Sequence, residues 1–129
     1  MNVLPFLMFE GRCEEAMNLY VGLIPGGRIV DIQRFGAGGP GKEGSVMRAS
    51  FVVGGQTVMC FDSPAKHAFT FTPASSLFVT CDSEAEFDRI VAGLAEGGQF
   101  LMPPDNYGFS RKFAWTNDRF GVSWQINLA

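Results

Sequence analysis

The sequence repeats itself. Residues 7–30, LMFEGRCEEAMNLYVGLIPGGRIV, lie over residues 78–101, FVTCDSEAEFDRIVAGLAEGGQFL, with one shift of 71 positions and no gap. Gly22-Leu23 then falls on Gly93-Leu94, Gly26-Gly27 on Gly97-Gly98, and Glu15 on Glu86. Such self-similarity implies two copies of one supersecondary unit. Each copy reads strand, helix, glycine turn, strand. The first helix sets Cys13, Ala16, Met17, Tyr20 and Ile24 on one face, and the second sets Phe87, Ile90, Val91 and Leu94. Ser83 to Glu86, SEAE, reads as a capping box, and the paired glycines read as helix stops.

More strands follow in each half. They are RIVDIQRF, SVMRASFVV and QTVMCFD in the first, and GQFLM, SRKFAWTND and VSWQINL in the second. Each half is therefore a βαβββ unit, about 1–62 and 75–129, joined by 63–74 within a single domain of 129 residues. A four-stranded sheet with one helix on one face leaves its other face open. Two such units can close their open faces around a shared cavity. Thirteen Phe residues in a chain that is 47% hydrophobic suit a thick core, an aromatic-lined cavity, or both.

Several classes are not supported. The net charge is −3 and no Lys/Arg cluster occurs, so nucleic acid is not an expected partner. No apolar stretch of 18 residues exists, so no membrane span is expected, and the N-terminus lacks the basic start of a secretory signal. Cys13, Cys60 and Cys81 are odd in number and form no CxxC pair, which suits reduced thiols in the cytoplasm. Residues 36–43, GAGGPGKE, stop one residue short of a Walker loop: Glu43 stands where Ser or Thr would ligate magnesium. The alternation of Met47, Ala49, Phe51 and Val53 with Val46, Arg48, Ser50 and Val52 then predicts a strand and not the required helix. A glycine-rich connection between strands is expected there.

The tandem βαβββ pattern, with PFLMFEGRCEEAMNLY, FVVGGQTVMCFD, FTFTPASSLFVTC and DRFGVSWQI, resembles the vicinal oxygen chelate superfamily, and within it the PhnB-like branch, also labelled 3-demethylubiquinone 3-methyltransferase-like. The resemblance covers nearly the whole chain. It implies the α+β glyoxalase/bleomycin resistance/dioxygenase fold, a curved, barrel-like mixed sheet around a cavity with helices outside. It also implies a homodimer and, in the enzymes, a divalent metal on four side chains. Carried over, those positions are Pro5, Met59, Ser76 and Gln125. Pro donates nothing, a thioether suits soft copper, and Ser and Gln are weak neutral donors. The resemblance therefore carries no intact metal site, and no cofactor is expected. The methyltransferase label needs a glycine-rich turn between a strand and a helix, and the glycine-rich run here is expected between strands.

Alternation selects the pocket candidates. Gln125 would share a face with Ser123 and Asn127, leaving Trp124 on the helix side, while Trp115, Phe113 and Arg111 share a face of the preceding strand. Arg48 and Ser50 share a face in the first half, as do Thr57, Met59 and Phe61. The candidate ligand residues are Arg48, Met59, Ser76, Trp115 and Gln125, suited to a small hydrophobic or aromatic molecule. His67, the one histidine, lies in the connection and reads as a surface loop residue, Asp118 reads as a turn carboxylate, and Cys60 falls on the face opposite Met59. The expected function is metal-independent small-molecule binding. The alternative is an enzyme of the same superfamily, a methyltransferase or a metal-dependent lyase or dioxygenase.

Overall fold

The computed structural model describes residues 1–129. The chain divides into two compact units, Met1–Ala68 and Phe69–Ala129. In the first, β1 (Phe6–Phe9), α1 (Cys13–Leu23), β2 (Arg28–Arg34), β3 (Val46–Val53) and β4 (Gln56–Asp62) follow in order. In the second, β5 (Leu77–Cys81), α2 (Glu84–Ala95), β6 (Gln99–Asp105), β7 (Lys112–Asn117) and β8 (Ser123–Leu128) repeat that order. The expected mixed sheet is divided in two, with strand orders β1-β4-β3-β2 and β5-β8-β7-β6. In each sheet the first strand runs parallel to the last, and the other pairings are antiparallel.

Edge chemistry explains the outer strands. β6 extends past the expected GQFLM through Pro103 and Pro104 and carries two register irregularities. Proline has no N–H to give a ladder, so it is tolerated on an edge. β2, an outer strand of the first sheet, carries Arg28, Asp31 and Arg34, charges that discourage further pairing.

Both helices bury the predicted stripes. Cys13, Ala16, Met17 and Tyr20 are buried on α1, and Phe87, Ile90, Val91 and Leu94 on α2. Against them pack Ala49, Phe51, Val53, Val58 and Cys60 in the first unit, and Ala114, Trp124, Ile126 and Leu128 in the second. Ser83 Oγ accepts from Glu86 N at 3.1 Å, as a capping box requires, while Glu86 Oε1 accepts from Asp82 N rather than Ser83 N. The glycine pairs do two jobs. Gly26 and Gly97 both take φ of 73°, the positive-φ position of the turns after each helix that Gly27 N closes on Ile24 O and Gly98 N on Ala95 O. A Cβ on Gly27 would stand 2.4 Å from Val21 O, and one on Gly98 2.0 Å from Asn117 O.

The glycine-rich run lies between β2 and β3, and no helix follows it. No helix of the chain is long and apolar enough to cross a membrane.

Candidate functional site

The face of the second sheet opposite α2 carries a chain of polar contacts. Alternation on β8 buries Trp124, Ile126 and Leu128 toward the helix and turns Ser123, Gln125 and Asn127 the other way. Trp115 is the register partner of Gln125, and Asn117 of Ser123, so β7 adds to the same face. Trp115 Nε1 donates to Ser123 Oγ at 2.8 Å. Ser123 Oγ and Ser76 Oγ lie 2.7 Å apart, and Gln125 Nε2 donates to Ser76 Oγ at 3.3 Å. Three of the sequence-predicted residues, Ser76, Trp115 and Gln125, are thus linked through one that was assigned only to the same face, Ser123. Half-buried Trp115, Ser76 and Gln125 surround the buried Ser123 hydroxyl. Exposed Phe78, the register partner of Gln125, adds an apolar surface, and its ring lies 6.3 Å from that of Phe113.

The corresponding face of the first sheet is built by β1, β3 and β4. Ser50 pairs with Met59, which places the two predicted sets, Arg48 with Ser50 and Thr57 with Met59 and Phe61, on one face. Phe6 pairs with Met59 and Met8 with Phe61, and the Phe6 and Phe61 rings lie 4.8 Å apart. Asp31, opposite Ser50, accepts from its hydroxyl at 2.5 Å.

Pro5 precedes β1 and contributes only its carbonyl, which accepts from Met59 N at 2.9 Å. The side chain beside Met59 is Phe6, and the one beside Gln125 is Phe78. The equivalent first-strand positions are therefore 72 apart. Three residues separate β1 from α1 and two separate β5 from α2, so the shift of 71 that aligns the helices inverts the strand faces. Either set, Pro5, Met59, Ser76 and Gln125 or the one with Phe6 and Phe78, lacks a carboxylate or imidazole. The hydroxyl of Ser76 and the amide of Gln125 are already bonded to each other, and these residues do not fit a divalent cation. No group of three or more His, Cys, Asp or Glu side chains is placed to hold a metal ion.

An adenosylmethionine pocket of the strand–glycine turn–helix kind does not fit either. The strand-to-helix turns are Glu10-Gly11-Arg12 and Asp82-Ser83, with one glycine and none.

The remaining candidates are structural. Asp118 Oδ1 accepts from Phe120 N at 2.8 Å and Val122 N at 3.0 Å, and Oδ2 from Trp124 Nε1 at 3.0 Å. His67 is exposed, and its Nε2 lies 2.9 Å from Ser63 Oγ. Cys60 is buried on the helix side and hydrogen-bonds Cys13, a contact that, with burial, raises the Cys13 thiol far above its ordinary range.

One carboxylate escaped the sequence reading. Asp62 Oδ1 accepts from Gly11 N at 2.8 Å and Cys13 N at 3.0 Å, and Oδ2 from Val46 N at 3.0 Å. It caps α1, whose own N-cap Arg12 offers no side-chain bond. The signal was its place in the buried alternation Val58, Cys60, Asp62, since a buried carboxylate needs partners. Asp62 borders a cleft of about 700 Å³ with Glu10, Lys42, Glu43, Ser63 and Lys66. Three carboxylates against two lysines serve a nucleotide phosphate poorly, in agreement with Glu43 in the Walker-like run. None of the ligand candidates lines this cleft.

Residues 1–127 match the family described as 3-demethylubiquinone-9 3-methyltransferase. The chain belongs to this PhnB-like family. The PhnB protein of Bacillus cereus, which bears the same methyltransferase description provisionally, is 53% identical over 100% of both chains with a TM-score of 0.97. The Pseudomonas aeruginosa protein PA1353 is 32% identical over 99% of this chain and 97% of its own, with a TM-score of 0.86. The fosfomycin resistance protein FosX of Mesorhizobium loti is 14% identical over 100% and 92%, with a TM-score of 0.64, and shares the fold. No curated protein matches the sequence.

Proposed function

We propose that this PhnB-like protein binds a small hydrophobic or aromatic molecule without a metal ion, on the sheet faces opposite the helices. The observation that carries the reading is the chain Trp115–Ser123–Ser76–Gln125, a hydrogen-bonded polar strip beside exposed Phe78. Ligand sites in proteins combine an apolar lining with a few positioned polar groups. Arg48 and Met59 supply the equivalent surface in the first unit. The donor chemistry at Pro5, Met59, Ser76 and Gln125 supports metal independence. The reading extends to a homodimer, as the superfamily resemblance implies, and to the cytoplasm, which suits three cysteines without a CxxC pair.

The family description favours a second reading, an enzyme acting on a ubiquinone precursor or a related substrate. It requires a methyl-donor site or a metal set that the residues above do not supply.

Native mass spectrometry of untagged protein, purified without chelator, tests both. The reading expects a dimer free of divalent metal, with any retained organic mass released on denaturation. One divalent ion per pocket, or bound adenosylmethionine, contradicts it.

A further inference from the structure

We propose that the bound molecule is an aromatic anion and that Arg48 holds its charge. This rests on the binding reading above and adds the sign of the ligand's charge. The open face of the first sheet has an apolar floor and a cationic edge. Phe6 is 53% exposed, its ring lies 4.8 Å from that of Phe61, and Met8 and Met59 flank the pair by register. One step beyond the Ala49–Cys60 pairing, Arg48 comes beside Phe61.

The Arg48 guanidinium is exposed and makes no hydrogen bond or ion pair within the chain. Arg12, Arg34 and Arg119, by contrast, each reach a glutamate, at 3.1, 2.7 and 3.4 Å. The carboxylate on the same face, Asp31, is engaged by Ser50 and forms no ion pair with Arg48. The register also places unpaired Arg28 on this face, opposite Val52. The strand residues of the face thus carry two guanidiniums and one carboxylate, in a chain whose net charge is −3.

An arginine stays charged at any physiological pH, and its planar fork matches a carboxylate, sulfonate or phosphate. A neutral ring would cover the Phe6–Phe61 floor and leave the cation unmatched. An anionic ring takes both, and by excluding water it lowers the dielectric around the charge pair and strengthens it.

Fluorescence titration with two probes of like ring system tests the proposal: anionic anilinonaphthalene sulfonate and neutral phenylnaphthylamine. The proteins are wild type, Arg48→Gln, and Arg89→Gln, on exposed α2 surface, as a control for net charge. Circular dichroism checks that each variant folds. The expected result is tighter binding of the sulfonate, weakened about ten-fold in Arg48→Gln and unchanged in Arg89→Gln, with the neutral probe indifferent to both. Equal affinity for the two probes, untouched by Arg48→Gln, overturns the charge assignment and leaves the binding reading standing. Equal weakening by Arg89→Gln also overturns it, because the effect is then one of net charge. Binding of neither probe overturns it together with the binding reading.

Discussion

Trp115 and Trp124 stand on neighbouring strands of the second sheet and point to opposite faces. The Trp115 indole donates to Ser123 Oγ at 2.8 Å, and the Trp124 indole to Asp118 Oδ2 at 3.0 Å. Strand alternation alone separates them: Trp115 pairs with Gln125, and Trp124 with Thr116. One indole belongs to the proposed ligand face and is half-buried, while the other, 1% exposed, belongs to the core.

The Asp118 carboxylate closes the β7–β8 turn and anchors Trp124. It is 3% exposed and accepts two backbone bonds and the indole bond. Asp118→Ala strands buried donors, each worth about 1–3 kcal/mol when unsatisfied, so a loss of about 3 kcal/mol or more is expected in urea unfolding. A loss under about 1 kcal/mol, typical of a surface substitution, contradicts the assignment.

Asp62 ties the start of α1 to β3 and β4 through Gly11, Cys13 and Val46 amides. Asp62→Ala is expected to release these three amides together. Hydrogen exchange at Gly11, Cys13 and Val46 should accelerate while amides of α2 keep their protection. Unchanged exchange at all three means that the carboxylate does not hold the helix start.

Two glycines predict opposite signs. Gly22 is helical with nothing within 4 Å of an added Cβ, so Gly22→Ala should stabilise by about 0.5–1 kcal/mol. Gly98→Ala would drive a methyl to 2.0 Å from the Asn117 carbonyl oxygen, backbone that cannot swing away. It should destabilise by about 1–3 kcal/mol or more. Thermal melts of the two variants check the sign, and a Gly98→Ala melting point at or above wild type refutes the clash.

The Cys81 thiol is pushed up from 9.0 to about 11, by burial first and then by Glu86 and Asp82. Peptide-resolved alkylation of the folded protein should therefore keep rising toward pH 11 at Cys81 and not level off near pH 9. The linked stability is fully present below pH 9, where the thiol is neutral folded and unfolded. It is lost between pH 9 and about 11, where the unfolded thiol ionises first. Cys81→Ala should lack that part of the alkaline decline in urea midpoint.

The fold was legible because its signals are local and doubled. Phe87, Ile90, Val91 and Leu94 define a helix face without reference to anything else, and Gly97-Gly98 marks its end. The face of Gln125 followed from alternation against Trp124. What failed was a count across a turn. Glu10-Gly11-Arg12 has one residue more than Asp82-Ser83, so the shift of 71 that matched the helices carried Pro5 to Ser76, whereas the strand register relates Phe6 to Phe78, 72 positions on. The partners of Asp62 were illegible for a different reason: Gly11 and Cys13 lie 51 and 49 residues away, brought to it by β1 pairing with β4. The hydroxyl contact of Ser76 with Ser123 likewise spans 47 residues.

Metal-free binding on the face that carries Trp115 is tested most directly by a nitrogen–proton correlation spectrum of the two indole N–H groups, recorded while neutral phenylnaphthylamine is added with chelator present. The account predicts that the Trp115 indole signal moves and that the Trp124 signal, held by Asp118 on the other side of the sheet, stays in place. Movement of Trp124 alone, or movement of Trp115 only after a divalent metal is supplied, contradicts it.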